Sequence, residues 1–133
     1  MNATDLGEAY LKVTKRNKTQ PETKLIKAIM ELFRWNGHIV IRVYGGGRVN
    51  QAGRYIPQPY LEKGTADLIV CLKPSGIFLA LEVKTLKGRV SEEQMTWLER
   101  VRECGGHAQV VRSVEEAEII MKSLEKGETK WTM

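Results

Sequence analysis

The sequence predicts an α/β domain: one mixed β-sheet with helices on both faces, in the order α-β-loop-β-β-α-β-α. Three observations predict it. Residues 20–36 carry Leu25, Ile26, Ile29, Leu32 and Phe33 at helical spacing. Two runs rich in Leu, Ile and Val, 66–73 and 77–84, meet at Lys73-Pro74-Ser75-Gly76, which is turn chemistry. Strand patterns then alternate with helix patterns, as in a sheet covered on both sides. The 133 residues, 42% of them hydrophobic, suit one domain with one core.

The chain divides into a mobile basic lead-in (1–18) ending in Lys15-Arg16-Asn17-Lys18, a folded body (19–125) and a tail (126–133). The first helix is capped by Thr19 or Gln20, takes Pro21 in its first turn and stops at Asn36-Gly37. Glu22 heads its inner face, and Thr19-x-x-Glu22 also spells a capping box. His38–Tyr44 is β-branched and aromatic, hence a strand, with His38 expected at the surface. Residues 45–63 form a long loop or extended hairpin. Its Arg48 and Arg54, interleaved with Tyr55 and Tyr60, suit phosphate binding and base stacking. Gly45-Gly46-Gly47 is no P-loop, because no Gly-Lys-Ser/Thr and no helix follow.

After the two central strands comes a short turn bearing Lys87 and Arg89. Ser91 opens a helix running to about Cys104, with Trp97, Leu98, Val101 and Cys104 on its apolar face. Gln94 completes a capping box with Ser91 and also lies on that face. Gly105-Gly106 ends the helix, and residues 107–112 make the last strand, opened by His107. Ser113 caps a final helix with Val114, Ala117, Ile120 and Leu124 inward. Trp131, in the tail, is available to dock on the body or on a second subunit.

No apolar run approaches the roughly 20 residues of a membrane span, and the first residues do not read as a signal peptide. Cys71 and Cys104 sit in apolar patterns without zinc or redox spacing and read as buried, reduced thiols. The expected compartment is the cytoplasm. The net charge is +5 and uneven: residues 1–64 hold 11 Lys/Arg against 5 Asp/Glu. A basic half suits a polyanion such as nucleic acid, or is simply a solvated surface.

The two central strands set the chemistry. Glu82 and Lys84 share one face with Phe78 and Ala80, and Asp67 shares one with Ile69 and Cys71. If Leu72 lies opposite Ile77, Asp67 lies directly opposite Glu82. Opposed Cβ atoms are roughly 5 Å apart, and like charges there destabilise a sheet. Two carboxylates on an apolar hairpin therefore point to a cation between them, and Mg²⁺ suits all-oxygen ligands. A three-residue loop would move Asp67 to the other face.

Asp67 followed by Glu82-Val83-Lys84 resembles the metal site of the PD-(D/E)xK nuclease superfamily. The wider pattern is Gly64-x-x-Asp67, Glu82-x-Lys84 and Gly88-Arg89-Val90-Ser91-x-x-Gln94. It resembles the VRR-NUC branch, over roughly Pro21 to Ile120. The Pro of the superfamily's name is absent from Gly64-Thr65-Ala66-Asp67. The resemblance implies a restriction-endonuclease-like fold and catalytic roles for Asp67, Glu82, Lys84, Gln94 and Glu22. It implies Mg²⁺, with Mn²⁺ as substitute, on Asp67, Glu82, the Val83 carbonyl and Glu22. Arg48, Arg54, Lys87 and Arg89 would bind nucleic acid. The implied activity is that of a structure-specific endonuclease on branched DNA, like a Holliday-junction resolvase, acting as a homodimer. Alternatives are a flap-cutting, nicking or restriction-like nuclease, or a nucleic-acid-binding module without catalysis.

Overall fold

The computed structural model describes residues 21–44, 48–56 and 60–127. The basic lead-in, the Thr19 and Gln20 caps, the three consecutive glycines and Trp131 lie outside the described residues. Helix α1 spans Pro21–Trp35, followed by strand β1, Ile39–Arg42. A small hairpin pairs β2 (Arg48–Val49) with β3 (Tyr55–Ile56). Then come β4 (Leu68–Cys71), β5 (Phe78–Val83), α2 (Glu92–Glu103), β6 (His107–Val111) and α3 (Val114–Glu125).

The main sheet has the order β1-β4-β5-β6. β1 and β5 both run antiparallel to β4, and β6 runs parallel to β5. The parallel pair needs a crossover, which α2 provides. Helices α1 and α3 pack together on one face over Leu68, Val70, Leu79, Leu81, Val83 and Val111. Helix α2 covers part of the other, over Ala80 and Ala108 with Leu98 and Val101. This is the mixed α/β sheet with helices on both faces that the patterning predicts.

The segment expected as a loop or hairpin contains the hairpin. Asn50 Oδ1 accepts from the N–H groups of Ala52 and Arg54 at 2.9 and 3.0 Å. Gly53, at φ +78°, completes the turn in a conformation side chains disfavour.

Two burial expectations are corrected. His38 is buried, not surface-exposed: its Nδ1 accepts from Lys73 N–H at 3.0 Å and its Nε2 meets Glu125 Oε2 at 2.9 Å. The ring joins the start of β1, the loop after β4 and the end of α3. The cysteines are exposed rather than buried. Cys71 lies on the sheet face away from Leu68 and Val70, and Cys104 forms the C-cap of α2.

Candidate active site

The register places the carboxylates. Leu72 N–H donates to Ile77 O at 3.0 Å, and Leu68 pairs with Leu81. The next opposed pair is Asp67 and Glu82, as the four-residue loop predicts. Asp67 lies just before β4 and ends the ladder itself: its Oδ2 accepts the Val83 N–H at 2.8 Å. A side chain thus takes a donor that a strand carbonyl would otherwise satisfy. On the other side, Asp67 O accepts from Val43 N–H at 2.8 Å.

Glu82 sits within β5, 1% exposed. Its Oε1 accepts from Gln94 Nε2 at 2.8 Å and lies 3.5 Å from Lys84 Nζ. Its Oε2 is buried and has no hydrogen-bond partner among the described residues. Burial first, and then the charge of Asp67, push the Glu82 carboxyl up to about 8, with Lys84 opposing. A buried orphan carboxylate oxygen facing a second carboxylate is costly unless a proton or a cation relieves it. This donor set fits a hard divalent cation.

Gln94 caps its helix and also reaches Glu82. Its Oε1 accepts from Ser91 N–H at 2.9 Å while Ser91 Oγ accepts from Gln94 N–H at 3.1 Å, completing the capping box of α2. Its Nε2 remains for Glu82. Gly64 brings the Asp67 segment against this helix turn. It stands at φ +86°, and a Cβ there would lie 2.2 Å from Glu93 O.

The structure does not gather every expected residue. Glu22 is half-buried at the start of α1. Among the described residues no three His, Cys, Asp or Glu side chains are grouped as a metal site, with Glu22 or without it. Glu22 stands in the first turn of α1, where an acidic side chain favours the helix N-terminus. Arg54, Lys87 and Arg89 are exposed, and Arg48 lies in β2.

The sequence reading missed Arg42. Its guanidinium donates to the carbonyls of Val43 and of Asp67, the latter at 3.2 Å, and lies 3.6 Å from Asp67 Oδ1. It also stacks 4.9 Å over the Tyr44 ring. The signal was present: Arg42 is the one charged residue in an otherwise β-branched strand. Arg112 was missed as well. It donates to Thr85 O at 2.6 Å and Gly88 O at 2.7 Å, fixing the turn after Lys84.

A mixed sheet bearing opposed carboxylates beside a lysine is an arrangement that suits a nuclease. The VRR-NUC domain model matches residues 51–115 of the chain. A solved VRR-NUC domain structure is 27% identical, aligned over 78% of this chain and 94% of that one, with a TM-score of 0.54. The small subunit of the heterodimeric restriction endonuclease R.BspD6I is 15% identical over 80% of this chain and 56% of its own, with a TM-score of 0.43. No curated protein matches the sequence.

Proposed function

We propose that the protein is a metal-dependent, structure-specific DNA endonuclease that hydrolyses phosphodiester bonds in branched DNA. The observation that carries this reading is Glu82 Oε2, unsatisfied among the described residues and buried opposite Asp67 beside Lys84. Asp67, Glu82 and the Val83 carbonyl would hold Mg²⁺ or Mn²⁺, with water and phosphate oxygens completing the shell. When bound, such a cation polarises the phosphate and acidifies water.

The chain's own groups do the positioning. Val83 N–H and Arg42 hold Asp67, while Gln94 holds Glu82. Lys84 Nζ orients the attacking water, accepts its proton or meets charge developing on the phosphoryl oxygen. The water oxygen bonds to phosphorus as the bond to the 3′ oxygen breaks. That oxygen takes up a proton, leaving a 3′-hydroxyl and a 5′-phosphate. Arg48, Arg54, Lys87 and Arg89 bind the DNA backbone. Residues 19–125 form the nuclease domain, and a homodimer would present two sites to a symmetric junction. Among the described residues no helix is long and apolar enough to cross a membrane.

The test is cleavage of linear, nicked, flap and four-way substrates by wild type, Asp67→Ala and Lys84→Ala, with Mg²⁺, Mn²⁺ or EDTA. Cutting of the four-way substrate by wild type with metal alone is expected. Equal activity of all proteins in EDTA would reject the reading, and preference for flaps or linear DNA would reject the junction assignment. Sedimentation at micromolar concentration tests the dimer.

A further inference from the structure

Leu86 is 86% exposed at the tip of the turn that directly follows Lys84. A single exposed leucine is ordinary on a protein surface. This one differs in how it is held and in what surrounds it. Gly88 N–H donates to Thr85 O at 3.1 Å, closing a four-residue turn whose central positions are Leu86 and Lys87. Arg112, from the end of β6, donates to the carbonyls at both ends of the turn. Lys84 N–H donates to Val111 O at 3.0 Å, tying the base of the turn to the sheet. Gly88 packs against the Lys84 stem, where an added Cβ would meet Cδ at 3.4 Å.

The tip is therefore an apolar side chain on a fixed support. Exposed Lys87 and Arg89 follow it in the chain. Flanking cations favour a polyanion over a protein surface as its partner. Proteins insert apolar side chains such as leucine between base steps, unstacking and kinking the duplex.

We propose that this turn is a DNA wedge. Leu86 enters between base pairs beside the scissile phosphate, Lys87 and Arg89 hold the adjacent backbone, and the favoured substrate has an unpaired or weakly stacked step there. The proposal rests on the nuclease reading and names the feature of DNA that its site selects.

The test compares two duplexes of identical sequence around the cut, one fully paired and one mismatched at the cut. Each carries 2-aminopurine next to the step. Fluorescence is read with Asp67→Ala, which binds without cutting, and with Asp67→Ala/Leu86→Ser. A rise on binding the paired duplex that the second protein lacks is expected. In cleavage, Leu86→Ser should lose at least about tenfold more on the paired than on the mismatched duplex. Arg112→Met, which keeps the stem but frees the turn, should lower the fluorescence rise while sparing the phosphate-driven salt dependence.

An unchanged fluorescence rise and an unchanged cleavage ratio with Leu86→Ser would overturn the wedge. So would a shift in sedimentation with no change in either, which would make Leu86 a protein contact. The nuclease reading fails separately, if Asp67→Ala cuts as well as wild type. The fluorescence comparison decides the wedge even then.

Discussion

Gln94 couples the architecture of α2 to the carboxylate pair through one amide: the oxygen caps the helix and the nitrogen holds Glu82. The two jobs separate by mutation. Ser91→Ala removes the cap and should cost about 1 kcal/mol in stability with little loss of cleavage. Gln94→Glu keeps an acceptor for the cap but removes the donor to Glu82, so cleavage should fall by at least about tenfold. Cleavage kinetics and thermal melts on both variants check this, and a wild-type rate for Gln94→Glu would make the glutamine purely structural. Glu82 supports a second expectation. Its folded-state value of about 8 lies above the ordinary 4.5, so between them the folded chain binds the extra proton. Stability from this group is therefore full below the lower value and declines as pH rises through the upper one. The metal-free protein should melt lower at pH 8.5 than at pH 5.5. Divalent cation should restore part of the loss, and Glu82→Gln should flatten the slope. Melting curves across that range, with and without Mn²⁺, test all three.

At the scale of elements, the helices and strands were legible because each carries its period. Leu25, Ile29, Leu32 and Phe33 are buried as their spacing predicts, as are Val114, Ala117, Ile120 and Leu124. The central hairpin was legible because Lys73-Pro74-Ser75-Gly76 marks its turn, and the structure selects the register that opposes Asp67 to Glu82. Strand ends were not legible. The run 66–73 shortens to Leu68–Cys71 because the Asp67 carboxylate, rather than a carbonyl, takes the Val83 N–H. Contacts between distant segments were also hidden. Nothing near His38 announces Glu125, which lies 87 positions away, and nothing near Arg112 announces the turn it clamps. Gly64 shows what such contacts demand. Its positive φ and its closeness to the Glu93 carbonyl leave no room for a methyl group. Gly64→Ala should destabilise the fold by about 2 kcal/mol or more and displace the Asp67 segment from α2. Denaturant unfolding measures the first effect. Unchanged stability would mean that this segment is free to move away from the helix.

Across the whole molecule, the net charge of +5 and the placement of exposed cations bear on how DNA would be held. Arg54 lies in the β2–β3 hairpin, whereas Lys87 and Arg89 follow β5, so the two sets belong to separate parts of the chain. Each phosphate neutralised by a cation releases counterions and steepens the salt dependence of binding by about 0.9. Removing Lys87 and Arg89 together should lower that slope by about 2, and removing Arg48 and Arg54 by a similar amount. Under the proposed function the carboxylates serve chemistry and the cations attachment, so Asp67→Ala should leave the slope near its starting value while abolishing cleavage. Affinity measured for a four-way junction over a range of salt, with each variant in the Asp67→Ala background, gives these slopes. If the Arg48/Arg54 pair leaves the slope unchanged and Lys87/Arg89 does not, the hairpin lies off the DNA. The footprint then narrows to the strand end, where the wedge and the carboxylates stand together.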